Sequence, residues 1–401
     1  MTTIEFSLIP DADVDFETVS RLMLDFQRDT GINVHLQRME WGNAWAHLIG
    51  FATQGQGVDI SHIGSTWVSS LMTMNALRPL PPALINKLGG EQAFVHSTWT
   101  NVVAEEDRHI YGIPLSSYVY IIAYRKDLLR QAGLSEASAF ATPAAVKDSI
   151  DRLEALHATE RAWLMPVVPH PFNDLVHMAA SWIWSSGGDI MDNRGKQVVF
   201  NSPAAIAGLT SYLQLLRRVP QVDYYGSDQC MDALLQGKAA AIITDARALN
   251  TAISNKVPNI ENIGAASLLS IPWSGGGSLV VWRHTHGYPD RLEASYKLIE
   301  FLTRKNIMID VADNCNTLPS RTDALDELFP PDHALRPVML QLISMGRSYR
   351  AIALWHRIEY QFGIELGEVA KKIIQDHSLD VEETLREAMD SLAYRMNLTL
   401  E

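Results

Sequence analysis

The chain has 401 residues, too many for one ordinary core and enough for two lobes of usual domain size. Apolar residues make up 47% and charged residues 20%, the balance of a soluble globular protein. A formal charge of −13 argues against a nucleic-acid partner, which needs a basic face, and no apolar run approaches the roughly 20 residues that cross a bilayer.

The opening third alternates strand and helix. Residues 4–9 alternate apolar and polar as a half-buried strand does. Phe16, Val19, Leu22, Met23 and Phe26 recur at helical spacing, and Gly31 supplies a left-handed stop. Ile32, Val34 and Leu36 restore period two, 45–51 reads as a helix, and 58–60 as a short buried strand. This order predicts a parallel sheet wrapped by helices, with ligands bound beyond the carboxyl ends of its strands. Around Tyr111 the texture changes. A strand at 118–124 precedes a helix at 125–132 closed by Gly133, and Thr142-Pro143 looks like a helix start. After a polar turn at 192–196 the pattern predicts a strand at 197–200 and a helix at 204–218. A helix-to-strand step follows over 231–244, broken at Gly237. Residues 263–271 read as a strand, Gly275, Gly276 and Gly277 as a flexible loop, and 278–282 as another strand. Helices are expected at 291–303, 306–313 and 381–392, the last capped by Asp380 with Glu383 reaching back.

A search for chemistry comes up mostly empty. No nucleophile elbow, zinc helix, calcium loop or phosphate-cradling loop is present, and the glycine run lacks a following Lys-Ser or Lys-Thr pair. His284 and His286 read as a solvated turn, since no neighbouring Cys or carboxylate completes a metal set. Cys230 and Cys315 can pair in one disulfide or stay as buried free thiols. Residues 1–9 offer no basic n-region, long apolar stretch or cleavage site, which fits a processed chain with a starting Met or a cytoplasmic protein. No catalytic residue, metal ligand or cofactor is expected. Ten tryptophans are the unusual feature. Trp41, Trp67, Trp273 and Trp355 lie in or beside predicted loops or element ends, where each is either core packing or a flat wall suited to the C–H face of a sugar.

Several runs, in order, resemble the solute-binding proteins of ABC importers, specifically their large carbohydrate-binding group. They are DISHIGSTW at 59–67 with ALRPL at 76–80, YGIPL at 111–115, AYRKDLL at 123–129 and AGL at 132–134. GGD at 187–189, FNSPAA at 200–205, GKAA at 237–240, GGSL at 276–279 and LPSR at 318–321 continue the pattern, and Trp355 and 378–388 complete it. The resemblance implies a two-lobed α/β periplasmic-binding-protein-like fold of the Venus-flytrap type. Each lobe would hold a mostly parallel sheet wrapped by helices, with the ligand cleft at the hinge. The lobes would comprise 1–109 with 266–315 and 114–261 with 319–401, joined near 109–113, 262–266 and 316–319.

Carried over residue by residue, Trp355 matches the family's sugar-stacking aromatic, and His170 and Phe172 match a polar group and an aromatic offered to the sugar. Gly64, Ser65, Thr66 and Trp67 match a hydroxyl-binding loop, and Ser116, Ser117 and Tyr118 a segment past the first hinge. Asp11, Asp13, Trp41, Asn43 and Trp273 are further candidates. Asp245-Ala246-Arg247 stands where many relatives carry an aromatic, which puts a maltose-like ligand in doubt; Arg247 either pairs with Asp245 or meets a charged sugar or phosphate. The expected function is capture of a small polar ligand, a sugar or oligosaccharide above others, by hinge closure and delivery to an importer's permease. The expected protein is a monomer and extracytoplasmic. The alternative is a cytoplasmic ligand sensor or regulator that reuses the same clamp.

Overall fold

The computed structural model describes residues 2–104, 108–167, 173–219, 226–315 and 317–400. His170, Phe172 and Asn316, the first residue of the third expected joining segment, lie outside them. Nine strands occur among the described residues: β1 Thr3–Leu8, β2 Asn33–Arg38, β3 Ile60–Gly64, β4 Gly112–Arg125, β5 Arg161–Leu164, β6 Ala239–Asp245, β7 Ile263–Ser267, β8 Ser274–Val281 and β9 Leu318–Pro319. The chain divides into two compact units. The first holds Met1–Tyr118, Ser274–Pro331 and Ser348–His356; the second holds Val119–Trp273, Asp332–Arg347 and Arg357–Glu401. Residues 266–273 therefore pack with the second unit and 319–331 with the first, and Trp355 lies in the first.

In the first unit β1 is parallel to β2 and to β3, as the alternation of strand and helix predicts. The helix Asp13–Thr30 between β1 and β2 starts with two acidic residues, which suit the positive end of its dipole, and ends at Gly31 with φ 71°. It buries Val19, Leu22, Met23 and Phe26, the last packed 5.3 Å from Phe301. Beyond β3 the pairing changes sign. β8 runs antiparallel to β3, and β9 antiparallel to β4. In the second unit β5 and β6 are parallel, while β4 is antiparallel to both β6 and β7. The expectation of mostly parallel sheets is thus corrected to mixed ones. Strands contributed by segments that re-enter a unit late in the chain need not follow the βαβ handedness that keeps early strands parallel.

Two local readings are also corrected. Residues 197–200 form a turn with a single bridge, Met191 to Val198, rather than a strand. Val198 and Phe200 are buried nonetheless, Phe200 stacked at 4.8 Å on Phe362 of the helix Trp355–Gln375. Gly275, Gly276 and Gly277 are strand, inside β8, and not a flexible loop. A Cβ on Gly276, whose φ is 150°, would stand 2.0 Å from the carbonyl oxygen of Ser116, and one on Gly277 would stand 1.9 Å from Nε2 of His62. The glycines let β8 lie close against β4 and the His62 ring. Gly276→Ala should therefore cost about 2–4 kcal/mol, from forbidden backbone plus overpacking. Gly31→Ala, with open space around it, should cost about 1 kcal/mol. Urea midpoints compare the two, and equal losses would remove the close-packing explanation.

Other readings hold closely. Thr142 caps Pro143–Ala155 by accepting from Ala145 N at 3.2 Å, and Asp380 accepts from Glu383 N at 2.9 Å. Cys315, in the first unit, and Cys230, in the second, are free and buried. His284 meets the Val58 carbonyl oxygen at 2.9 Å, and His286 the Arg78 guanidinium at 2.9 Å.

Candidate functional site

In the first unit the candidate residues follow the carboxyl ends of three parallel strands, β1, β2 and β3. After β1 the chain turns through Pro10 and Asp11, fixed by Asp15, whose Oδ2 accepts from the backbone N–H groups of Asp11 and Ala12 at 2.9 Å each. Asp11 then accepts from Trp41 Nε1 at 2.8 Å. Trp41 opens the helix Trp41–Gln54 and is 39% exposed, so its ring is the accessible indole of this group. It meets Trp67 edge-on at 5.5 Å. Trp45, one helical turn on, also contacts Trp67, at 5.6 Å, and stacks on His356 at 3.9 Å. After β3, Gly64 leads into the short 3₁₀ turn Ser65–Trp67. The Ser65 hydroxyl is buried with no hydrogen-bond partner among the described residues, a state that costs about 1–3 kcal/mol unless water or a ligand pairs it.

Trp355 is also in the first unit, but 1% exposed and stacked on Tyr349 at 4.1 Å. Its Nε1 has no hydrogen-bond partner among the described residues. Asp13 is held by Arg38 at 2.6 Å, and Asn43 is exposed on the helix behind Trp41. Ser117 donates to the Pro319 carbonyl at 3.1 Å, Ser116 accepts from Gly277 N at 3.0 Å, and Tyr118 is the last residue of β4 in this unit. These bonds tie Ser116 and Ser117 to neighbouring strands.

Beside Asp11 lies a cavity of ≈ 70 Å³ whose walls include His62, Ser116, Cys315 and Thr317. That volume suits a few water molecules and falls well below the roughly 300 Å³ of a small-molecule pocket. Burial pushes His62 down to about 4 against the pull of Asp11, and burial pushes His356 down to about 4. Both rings are neutral at pH 7. Cys315 is pushed up to about 12 by burial, so its thiol is protonated.

In the second unit Trp273 lies flat on His177, with ring centres 3.8 Å apart and planes 8° apart, and Tyr120 sits 6.2 Å away. Glu359, 1% exposed, approaches His177 Nε2 to 3.7 Å. Burial holds His177 down, to about 3. Ser181 accepts from Trp273 N at 2.8 Å and Ser185 from Ile271 N at 3.2 Å. Arg347 pairs with Asp189 and covers the Trp184 ring at 4.5 Å. Asp245 is 2% exposed and caps Ala246–Ser254, accepting from Ala248 N at 2.8 Å, with Arg247 Nε 3.7 Å away. Burial raises its carboxyl above the usual range. The pair Asp245 and Arg247 thus has a local role at a helix start.

The structure brings Asp11, Trp41, Ser65, Thr66 and Trp67 together in the first unit, and Trp273 and Asp245 beside Tyr120 in the second. Sequence reasoning missed Trp45, His356, His177, Glu359 and Arg347. One signal was available: His177, Ser181 and Ser185 form a polar stripe at four-residue spacing on the helix Asn173–Ser185, which is otherwise apolar beyond Asn173 and Asp174. That stripe holds the segment ending at Trp273.

Among the described residues no group of three His, Cys, Asp or Glu is placed to hold a metal, and no helix is long and apolar enough to cross a membrane. A model of the family described as bacterial extracellular solute-binding protein matches residues 22–337. A binding protein of Brucella abortus (strain 2308) is 22% identical over 340 residues, covering 82% of this chain and 78% of that one. The sugar-binding protein MalE of Xanthomonas citri superposes with a TM-score of 0.80 at 19% identity, over 100% of this chain and 97% of that one. An ABC transporter solute-binding protein of Thermotoga lettingae TMO, bound with α-D-tagatose, gives 0.78 at 17% identity, with 100% of both chains covered. Such structural likeness speaks to the fold, and it is the α/β fold expected from the sequence. With the family model spanning most of its length, the chain belongs to the bacterial extracellular solute-binding proteins.

Proposed function

We propose that the protein captures a neutral sugar or polyol by hinge closure outside the cytoplasm and hands it to the permease of an ABC importer, without catalysing a reaction. The observation that carries this reading is the Trp41 ring. It is exposed, backed by Trp67 and held by Asp11 beside the unpaired Ser65 hydroxyl. An apolar ring face next to a few fixed polar groups is what a sugar, with its C–H face and its hydroxyl edge, requires. The neutral His62 and His356 add no positive charge there, which favours an uncharged ligand over a sugar phosphate. The names of the relatives agree, since one is a sugar-binding protein and another holds tagatose.

Ligand contacts made by both units would favour the closed state by their difference in affinity for closed and open forms. Trp41, Ser65 and Thr66 are the proposed contributors from the first unit, Trp273 and Arg347 from the second, and Trp355 remains a proposed stacking wall. The hinges are proposed at the joining segments expected from the sequence. Calorimetric titration with a panel of neutral sugars and polyols should find a binder, and Trp41→Ala should weaken it by about tenfold to a hundredfold. Small-angle scattering should show the radius of gyration falling when that ligand is added. A confirmed ligand that leaves the dimensions unchanged would falsify closure, and a Trp41→Ala chain of full affinity would remove the stacking wall.

A further inference from the structure

The second unit holds a cavity of ≈ 450 Å³ whose walls include Arg125, Leu235, Gly237, Pro258, Asn259 and Asn262. That volume lies within the range of about 300–1,000 Å³ typical of small-molecule sites. It is remote from the Trp273 cluster. Arg125 is the last residue of β4, and the strand from Tyr120 to Arg125 spans about 17 Å.

The donors of this cavity are partly spent and partly not. Arg125 commits Nε and Nη2 to Asp127, at 2.9 and 2.5 Å, and its Nη1 forms no hydrogen bond with a described residue. Nη1 occupies the space that Gly237 leaves, where a Cβ would stand 3.3 Å from it. Asn262 accepts from Asp127 N at 3.2 Å through Oδ1, and its Nδ2 amino group also faces the Asp127 carboxylate, which leaves one of its two hydrogens for a ligand. Asp127 is held down, to about 2, chiefly by the Arg125 hydrogen bond, so the pair is ionised and balanced. Leu235 and Pro258 supply apolar wall beside these donors.

We propose that this cavity is a second ligand site, taking an uncharged, oxygen-rich molecule of sugar or polyol size. Acceptor oxygens meet Arg125 Nη1 and Asn262 Nδ2, and the C–H face lies on Leu235 and Pro258. An anion gains little here. Asp127 already offsets the guanidinium, and the chain's net charge of −13 repels negative ligands at long range. The site does not depend on the reading of the first unit.

The test uses the full chain labelled with nitrogen-15, titrated with sorbitol as the neutral probe and gluconate as its charged counterpart. Sorbitol at millimolar concentration should shift the side-chain amide signals of Asn259 and Asn262 and the Arg125 Nε signal saturably, and gluconate should shift them far less. Asn262→Ala should weaken sorbitol by about tenfold, the loss of one hydrogen bond. Leu235→Trp should fill the cavity and abolish the shifts, with Pro258→Trp as the plug if the first variant does not fold. Trp41→Ala should leave them unchanged, which separates this site from the proposed one in the first unit. The proposal is overturned if sorbitol moves none of these signals or if the shifts survive the plug. Gluconate binding as tightly as sorbitol would overturn the neutral-ligand assignment.

Discussion

Acidification from pH 7 to pH 5 is expected to remove about 3–4 kcal/mol of stability from the first unit, through His62 and His356. Burial lowers both rings from 6.5 to about 4. The unfolded chain therefore takes up protons near 6.5 that the folded chain refuses until about 4. The stabilising contribution is fully present above 6.5 and is lost as the pH falls toward 4. Each such ring adds a slope of about 1.4 kcal/mol per pH unit, or about 2 kcal/mol at pH 5, somewhat less for the less buried His356. His177, held down by burial alone, acts with the same sign in the second unit. Asp127, held down to about 2, loses its contribution only below the usual carboxylate range and does not enter this window. Urea midpoints at pH 7, 6 and 5 measure the slope, and His62→Gln should remove its share. A midpoint that stays level down to pH 5 would show that these rings accept protons while folded.

The second large effect is expected at Asp59, which is fully buried in the first unit. Its Oδ2 accepts from Arg291 Nε and Nη2 at 3.0 and 2.7 Å and from Glu5 N at 2.9 Å, and its Oδ1 from Thr285 at 3.3 Å. One carboxylate thus ties β1, the start of β3 and the helix Pro289–Leu302. Asp59→Ala should cost about 3–5 kcal/mol, because it strands the half-buried Arg291 guanidinium and the half-buried Glu5 N–H together. Asp59→Ala combined with Arg291→Met should cost clearly less than the sum of the single changes, since the second change removes the stranded charge. Denaturant titration of the four chains completes the cycle. Simple additivity would mean that the two side chains do not act as a pair.

The N-terminal strand–helix–strand order was legible because each element there is set locally, by period, by Gly31 and by acidic residues at the helix start. Thr142 and Asp380 were legible as caps for the same reason. The glycines of β8 were not, because a three-glycine run looks like a loop until the nearness of Ser116 and His62 is known. That nearness joins residues far apart in the chain. Val198 and Phe200 misled in the opposite way. Their alternation matches a strand, but they are buried outside any strand, Phe200 against a helix. At the candidate site the sequence named Asp11, Trp41, Ser65 and Trp67, which follow strand ends. It gave first place to Trp355, whose ring the structure buries against Tyr349. His177 and Glu359 escaped notice because they come together only when two helices distant in the chain pack within the second unit.

Cys230 and Cys315 fall one to each unit, and burial keeps both thiols protonated at pH 7. An alkylating reagent attacks the thiolate, so it reaches either sulfur only when the surrounding unit opens. Each half of the molecule thus carries its own clock for local unfolding, and peptide mapping of the alkylated chain tells the two clocks apart without introducing a label.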